Sequence, residues 1–341
     1  MTGSTRSGYP VPRRSLSPKH DEAAGPKVVA FGGGHGLYAA LSALRLITEK
    51  LTAVVTVADD GGSSGRLRQE LGGLPPGDLR MALAALCDDS EWGRTWRDVI
   101  QHRFTSDGPL NGHSVGNLLI SALWQLLQDH VDGLDWMARL LDAQGRVLPM
   151  SSVPLAIEAD VAGLHPDRLT LVRGQSKLAL TEGVVTQLRL DPADPPARAE
   201  TLESVHAADV LNLGPGSWYT SVMPHLLVPE LSEAIVGSSA VKCLTMNLIS
   251  ADGETSGMTV RGHLEALSHH APKLRFDYIL VDQKAAALED DLGQASADIF
   301  DAELVRRPLA KRGRAQHDSL RLAAAYRDVF ITAGVLSDDA W

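Results

Sequence analysis

The chain has 341 residues, 44% of them hydrophobic and 22% charged, with 32 basic against 42 acidic side chains and a formal net charge of −10. That length allows two domains or one large α/β domain with an insertion, and the composition is ordinary for a globular protein with a sizeable core. The acidic balance argues against broad nucleic-acid or anionic-membrane surfaces, which need basic faces, and still allows a local basic pocket. No apolar run approaches the roughly 18–20 residues of a membrane span, and the N-terminus has no apolar signal core. The two cysteines, Cys87 and Cys243, fall in no disulfide or metal-binding pattern. A cytoplasmic location is expected.

Residues 1–26 are rich in Ser and Pro and poor in apolar side chains, so a disordered tail is expected there. The favoured reading is a passive start. Its alternative is a Ser/Thr kinase site in Arg13-Arg14-Ser15-Leu16-Ser17-Pro18, where phosphate would reverse the local charge. Order is expected from Lys27. Val28–Phe31 reads as a short buried strand, followed at once by Gly32-Gly33-Gly34-His35-Gly36. Leu37, Leu41, Leu44 and Ile47 then recur at helical spacing. Thr52–Ala58 is a second strand that ends in Asp59-Asp60. Such a strand–glycine loop–helix–strand unit predicts a parallel sheet.

Between Ser63 and Asp142 the spacing predicts helices around Leu79–Leu86, Trp92–Phe104, Gly116–Leu127 and Leu134–Leu141. Near 146–191 the pattern changes to short strands, at Val153–Ala159, Leu169–Val172 and Val184–Leu190, which predicts a β-rich excursion. Alternation then resumes. Strands are expected near Asp209–Leu213, Val241–Met246 and Phe276–Val281, and helices near Leu231–Val236 and Val260–His269. A last helix is expected over Ser319–Phe330, with residues 331–341 as a C-terminal tail.

The first glycine loop, with Gly33, Gly34, His35 and Gly36, follows a strand and opens a helix, which aims backbone N–H groups at an anion. Its spacing is neither the dinucleotide fingerprint nor a Walker A loop. The second loop, Asp59-Asp60-Gly61-Gly62-Ser63-Ser64-Gly65-Arg66-Leu67-Arg68, lies past the second strand. In a doubly wound sheet both loops line one crevice. There an acidic residue holds a ribose hydroxyl or a divalent cation, a serine caps a helix, and Arg66 or Arg68 pairs with phosphate. The bland alternative is an acidic turn with a capping serine.

Asp78 is a helix cap or a ligand contact. His113 and Asn117 stand four apart at a helix start, on one face. Asn212, Gly214, Gly216, Ser217 and Thr220 belong to a strand end and Gly/Pro loop suited to a second phosphate or a sugar. Asn247 ends another strand, placed to read a base or ribose, and Glu254 reads as a plain loop carboxylate.

Several segments, in this order, resemble the CofD-like superfamily and, within it, the YvcK-type branch of gluconeogenesis factors. They are GGGHGL at 32–37, VTVADDGGSSGRLR at 55–68, LPPGDLR at 74–80, GHSVGNLL at 112–119, GPGSWYTSVMPHLL at 214–227 and GET at 253–255. The resemblance covers residues 27–330. It implies a Rossmann-like doubly wound parallel sheet with helices on both faces, a smaller β-containing lobe, and a nucleotide site at the carboxyl edge of the sheet. The branch is associated with UDP-sugars such as UDP-N-acetylglucosamine, with cell shape and peptidoglycan synthesis, and with gluconeogenic growth.

The implied protein is a regulator rather than an enzyme, with no required cofactor and with a homodimer as the expected assembly. The glycine loops would cradle a diphosphate, Arg66 and Arg68 would add charge, and Asp59 or Asp60 would hold ribose or a cation. The alternative is the CofD branch proper, a group transferase. It moves a phospholactyl-type group from a guanosine diphosphate derivative to a deazaflavin precursor, with Mg²⁺ on Asp59 and Asp60. A third reading, an NAD(P) enzyme, explains only the first loop, although NAD(P) also suits the crevice as a bound ligand. This chain departs from the branch at His35, where Thr is usual, and at Gln175, where Glu is expected. Gln316 precedes His317-Asp318 where an arginine is expected, which leaves Arg312 or Arg314 to supply a basic contact.

Overall fold

The computed structural model describes residues 25–248, 254–255 and 257–338. Its strands, in chain order, are β1 (Val28–Gly32), β2 (Leu51–Val55), β3 (Arg146–Pro149), β4 (Ala156–Ala162), β5 (Thr170–Arg173), β6 (Val184–Asp191), β7 (Val210–Leu213), β8 (Val241–Thr245), β9 (Tyr278–Asp282) and β10 (Glu303–Arg307). Seven of them make one parallel sheet in the order β10-β9-β8-β7-β1-β2-β3. Helices cover both faces of it. The central strands are apolar on both sides, since Val28, Val29, Ala30 and Phe31 are all at most 2% exposed. That is why they read as a continuous apolar run rather than an alternation.

The order places the site. From β1 the chain builds outward through β2 and β3, and it later builds the other way through β7 to β10. The reversal falls between β1 and β7, which pair from Val28↔Val210 to Phe31↔Leu213. At such a switch point the loops leaving the two strands part, and a crevice opens at the carboxyl edge.

Five helices fill the connection from β2 to β3: Gly62–Leu71, Gly77–Leu86, Glu91–Gln101, Val115–Leu127 and His130–Leu140. The β-rich excursion is shorter than expected from 146–191. Arg146–Pro149 is an edge strand of the main sheet, parallel to β2, and only β4, β5 and β6 form a separate antiparallel sheet. Burial explains the division. Val147 and Leu148 are both enclosed, whereas β4 alternates Ile157, Ala159 and Val161 inward with half-exposed Glu158 and Asp160.

Strand β10 and the helix Leu292–Phe300 before it carry no expectation from the sequence. With Glu303, Arg306 and Arg307 exposed, β10 lacks the apolar run of an inner strand. Order also reaches slightly beyond the expected ends. Pro26 is buried and its carbonyl accepts the Thr48 hydroxyl at 2.6 Å. The last helix runs Ser319–Thr332, and Leu336 packs into the core. Ser15 and Ser17 lie outside the described residues. No helix among the described residues is long and apolar enough to cross a membrane.

Candidate functional site

The loops after β1 and β7 touch. A Cβ on Gly36 would lie 2.3 Å from the Pro215 carbonyl oxygen and 2.4 Å from Gly216 Cα, so only glycine permits this approach. Gly34 opens the first helix at φ +56, a second position that suits glycine.

Four helices begin on the β1–β2 side of this contact: Gly34–Leu44, Gly62–Leu71, Gly77–Leu86 and Val115–Leu127. Their caps are Gly33, Gly61, Pro76 and Ser114, and none makes a side-chain cap hydrogen bond. Uncapped helix starts leave peptide N–H groups without intrahelical partners and carry partial positive charge. Close contacts gather them. A Cβ on Gly33 would meet Asp78 Oδ2 at 2.5 Å, and one on Gly77 would meet Ser64 Oγ at 2.3 Å and Asp59 Oδ2 at 2.6 Å.

A buried polar chain joins the rest. Arg80 Nε donates to Asn117 Oδ1 at 3.0 Å, Asn117 Nδ2 donates to Ser63 Oγ at 3.1 Å, and Ser63 Oγ lies 3.0 Å from His113 Nδ1. Arginine is only a donor, so it fixes which end of the Asn117 amide faces Ser63. The Ser63 hydroxyl, having accepted from Asn117, keeps its proton and a second lone pair for His113 Nδ1, and the ring tautomer decides which of them is used. Burial, then the Arg66 charge, hold His113 below the usual histidine range. Burial, then Arg103, bring Arg80 down to about 10. Burial, then the Asp59 charge, push Asp78 up to about 7, against the pull of the Gly34 N–H group. The basin is thus rich in donors and holds two opposed carboxyl groups.

Other residues expected in the site have different surroundings. Asp60 Oδ1 accepts from Ser176 N at 2.9 Å, which ties the short helix Gln175–Leu178 to the crevice. Asp78 is an acidic neighbour of Asp59 that adjacency in the sequence did not suggest. Among the described residues no group of three or more His, Cys, Asp or Glu side chains is placed to hold a metal ion. Arg68 Nη1 donates to the Leu155 carbonyl at 2.7 Å, and Arg66 donates to the carbonyls of Pro109 (3.2 Å) and Asn111 (2.7 Å). Both arginines brace neighbouring loops. Gly62 (φ +46) and Gly65 belong to the first turn of the Gly62–Leu71 helix, where Gly65 N bonds Gly61 O at 2.9 Å.

Asn212 is fully buried and acts from behind the loop. Its Nδ2 donates to Gly214 O at 2.7 Å and its Oδ1 accepts the Thr245 hydroxyl at 2.9 Å. Asn247 clamps Gly216, accepting from its N–H at 2.8 Å and donating to its carbonyl at 2.6 Å. Thr220 is buried within the turn Trp218–Val222.

On the β8–β9 side lies an open cavity of about 870 Å³. His35, Gly36, Gly216, Ser217 and Asn247, all expected in the site, line it. So do His263, Glu289 and Lys311, which the sequence did not reveal. Lys311 is the cation on this wall, where Arg312 or Arg314 was expected. Glu289 and Lys311 sit in no glycine motif, and the signal that would have found them is their place beyond β9 and β10. Glu254 proves to be more than a loop carboxylate. It is 8% exposed, its Oε1 accepts from Tyr219 N at 2.8 Å, and burial pushes it up to about 7.

Residues 28–311 match the family model of 2-phospho-L-lactate transferase CofD. A Halalkalibacterium halodurans protein named gluconeogenesis factor is 41% identical over 254 residues, 74% of this chain and 76% of that one. A Mycobacterium tuberculosis H37Rv protein, provisionally given the same name, is 50% identical over 301 residues, 87% of this chain and 88% of that one. A crystal structure of a UPF0052-family protein from Bacillus halodurans is similar with a TM-score of 0.78 at 35% identity, covering 89% of this chain and 98% of that one. On this match along most of its length, the chain belongs to the CofD family, in the YvcK-type branch of gluconeogenesis factors.

Proposed function

We propose that the protein is a regulator that binds a nucleotide-sugar of the UDP-N-acetylglucosamine type and couples it to gluconeogenic growth, peptidoglycan synthesis and cell shape. The names of its relatives support the regulatory part. One observation carries the ligand class: four helix starts without side-chain caps gather near a buried arginine, and the first of them, through His35 and Gly36, lines a cavity of about 870 Å³. A diphosphate fits the first feature, because helix N-termini and a guanidinium both favour anions. The uncharged parts of the ligand fit the second.

Asp59 and Asp78 oppose an anion unless something offsets them. Burial helps at Asp78, because a carboxyl group with a pKa of about 7 retains its proton in a large share of molecules near neutrality and then donates a hydrogen bond. A Mg²⁺ ion also fits, since Mg²⁺ is commonly held by one or two carboxylates with phosphate oxygens and water. That second route is also what the transferase reading needs, with the Asp59–Asp78 pair as its ligands.

Calorimetric titration with UDP-N-acetylglucosamine and with GDP, each with and without Mg²⁺, separates the readings. The regulator predicts saturable binding of the UDP-sugar and its recovery unchanged after hours. Binding of GDP alone, dependent on Mg²⁺, and consumption of a guanosine diphosphate donor with a deazaflavin acceptor would replace it with the transferase.

A further inference from the structure

We infer that Glu254 and His263 form a hydroxyl-reading end of the cavity, which recognises the sugar of the bound nucleotide rather than its phosphates. The inference rests on the proposed function and assigns a part of that site to the sugar.

His263 lies on the helix Val260–His270 and is 8% exposed. Its Nδ1 lies 2.7 Å from the Thr259 carbonyl oxygen. A carbonyl only accepts, so Nδ1 carries the proton and Nε2 of the neutral ring is a bare acceptor. That Nε2 is buried and has no hydrogen-bond partner among the described residues. Burial, which holds the ring below the usual histidine range, keeps it neutral. Glu254 is similar at one oxygen: Oε1 accepts from Tyr219 N, and Oε2 is buried near the Thr220 hydroxyl with no well-formed hydrogen bond among the described residues. The indole N–H of Trp218 is likewise buried with no partner among the described residues, and its ring stands edge-on to His263 with centroids 5.1 Å apart.

An unpaired buried polar atom costs free energy comparable to a lost hydrogen bond, so a closed core rarely keeps three together. Here two of the three side chains, His263 and Glu254, line the cavity. His263 Nε2 as an acceptor, the Trp218 N–H as a donor, and the Glu254 carboxyl, which at a pKa of about 7 accepts when ionised and donates when protonated, match neighbouring hydroxyl groups, each of which donates and accepts. They do not match a phosphate, whose oxygens would face lone pairs. A cation fits poorly too. Lys311 lines the same cavity, and the Glu289 carboxylate is already engaged by Val260 N at 2.6 Å and Arg261 N at 3.0 Å.

The test compares UDP with UDP-N-acetylglucosamine by calorimetry on the full chain, as wild type, His263→Phe and Glu254→Gln. Phenylalanine keeps the edge-on packing against Trp218 and removes the lone pair. Glutamine keeps an acceptor for Tyr219 N and turns the other oxygen into a donor. The expected result is a roughly tenfold loss of UDP-N-acetylglucosamine affinity in each variant with UDP affinity unchanged within about twofold. Equal losses for both ligands would give this wall to the nucleoside, and no loss for either would place the sugar elsewhere. Both results overturn the inference. Failure of the wild type to bind either ligand would instead remove the proposed function beneath it.

Discussion

The two halves of the carboxyl edge differ in how most of their helix starts are capped, the uncapped Leu292–Phe300 helix of the β8–β10 side aside. On the β1–β2 side the helices at Gly34, Gly62, Gly77 and Val115 have no side-chain cap. On the β8–β10 side Thr259 caps at Gly262 N (3.0 Å), Asp282 at Lys284 N (2.9 Å), and Asp318 at Leu320 N (3.1 Å) and Arg321 N (3.2 Å). Glu289 adds a second acceptor at the helix Val260–His270. Capping residues of this kind stabilise a helix by about 1 kcal/mol each, so four starts without them mark a region where stability gives way to something else. The first half is the richer in uncapped starts, although Asp78 and Asp59 engage the Gly34 and Gly61 N–H groups, and the second has more of its donors engaged and leaves acceptors for hydroxyls beside the Trp218 N–H.

The largest effect should come from the contact that joins the halves. Gly36→Ala drives a Cβ into the Pro215–Gly216 backbone on both sides. We predict a loss of about 2–4 kcal/mol in denaturant unfolding, on the scale of severe overpacking, with loss of ligand binding. Wild-type stability in this variant would mean that the loops do not meet. Next comes Arg80→Met, which removes the buried guanidinium from the donor half. UDP affinity should fall more than about tenfold, and equal affinity by titration would put the phosphates outside this basin.

Asp78 tests the donor half through pH. Its pKa is raised from 3.8 to about 7, so the folded chain holds that proton more tightly than the unfolded chain between those values. Stability from this group is therefore fully present below about pH 4, falls as pH rises through the window, and is gone above about pH 7. Asp78→Asn should flatten that decline and raise the stability of the ligand-free protein at pH 8 by an amount on the order of a few kcal/mol. Parallel unfolding curves for the two proteins from pH 4 to 8 would contradict the burial argument. The smallest effect belongs to Arg66, exposed and tied to the Pro109 and Asn111 carbonyls. Arg66→Ala should change UDP affinity by less than about threefold in the same titration.

The comparison also shows what a sequence can reveal. Glycine loops directly after strands announce the switch point, because backbone approach and positive φ leave few residue choices. Asn247 and Ser217 were legible for the same reason, as neighbours of strand ends. The approach of Asp78 to Asp59 was not, because the two are nineteen positions apart and only the fold brings them together. His263 sits in an ordinary amphipathic helix and gives no local sign that its Nε2 lacks a partner. Strand β10, exposed along much of its length, hid Lys311 along with itself. Chemistry written in the backbone of a loop can be read along the chain, whereas chemistry that depends on which side chain lacks a partner emerges only after folding.

A structure of the protein with UDP-N-acetylglucosamine bound tests the division of the edge most directly. The account predicts the diphosphate at the starts of the Gly34, Gly62 and Val115 helices, near Arg80, with the sugar hydroxyls against Glu254 and His263. A diphosphate lying against the capped helices of the β8–β10 half, with the uncapped starts empty, would contradict it.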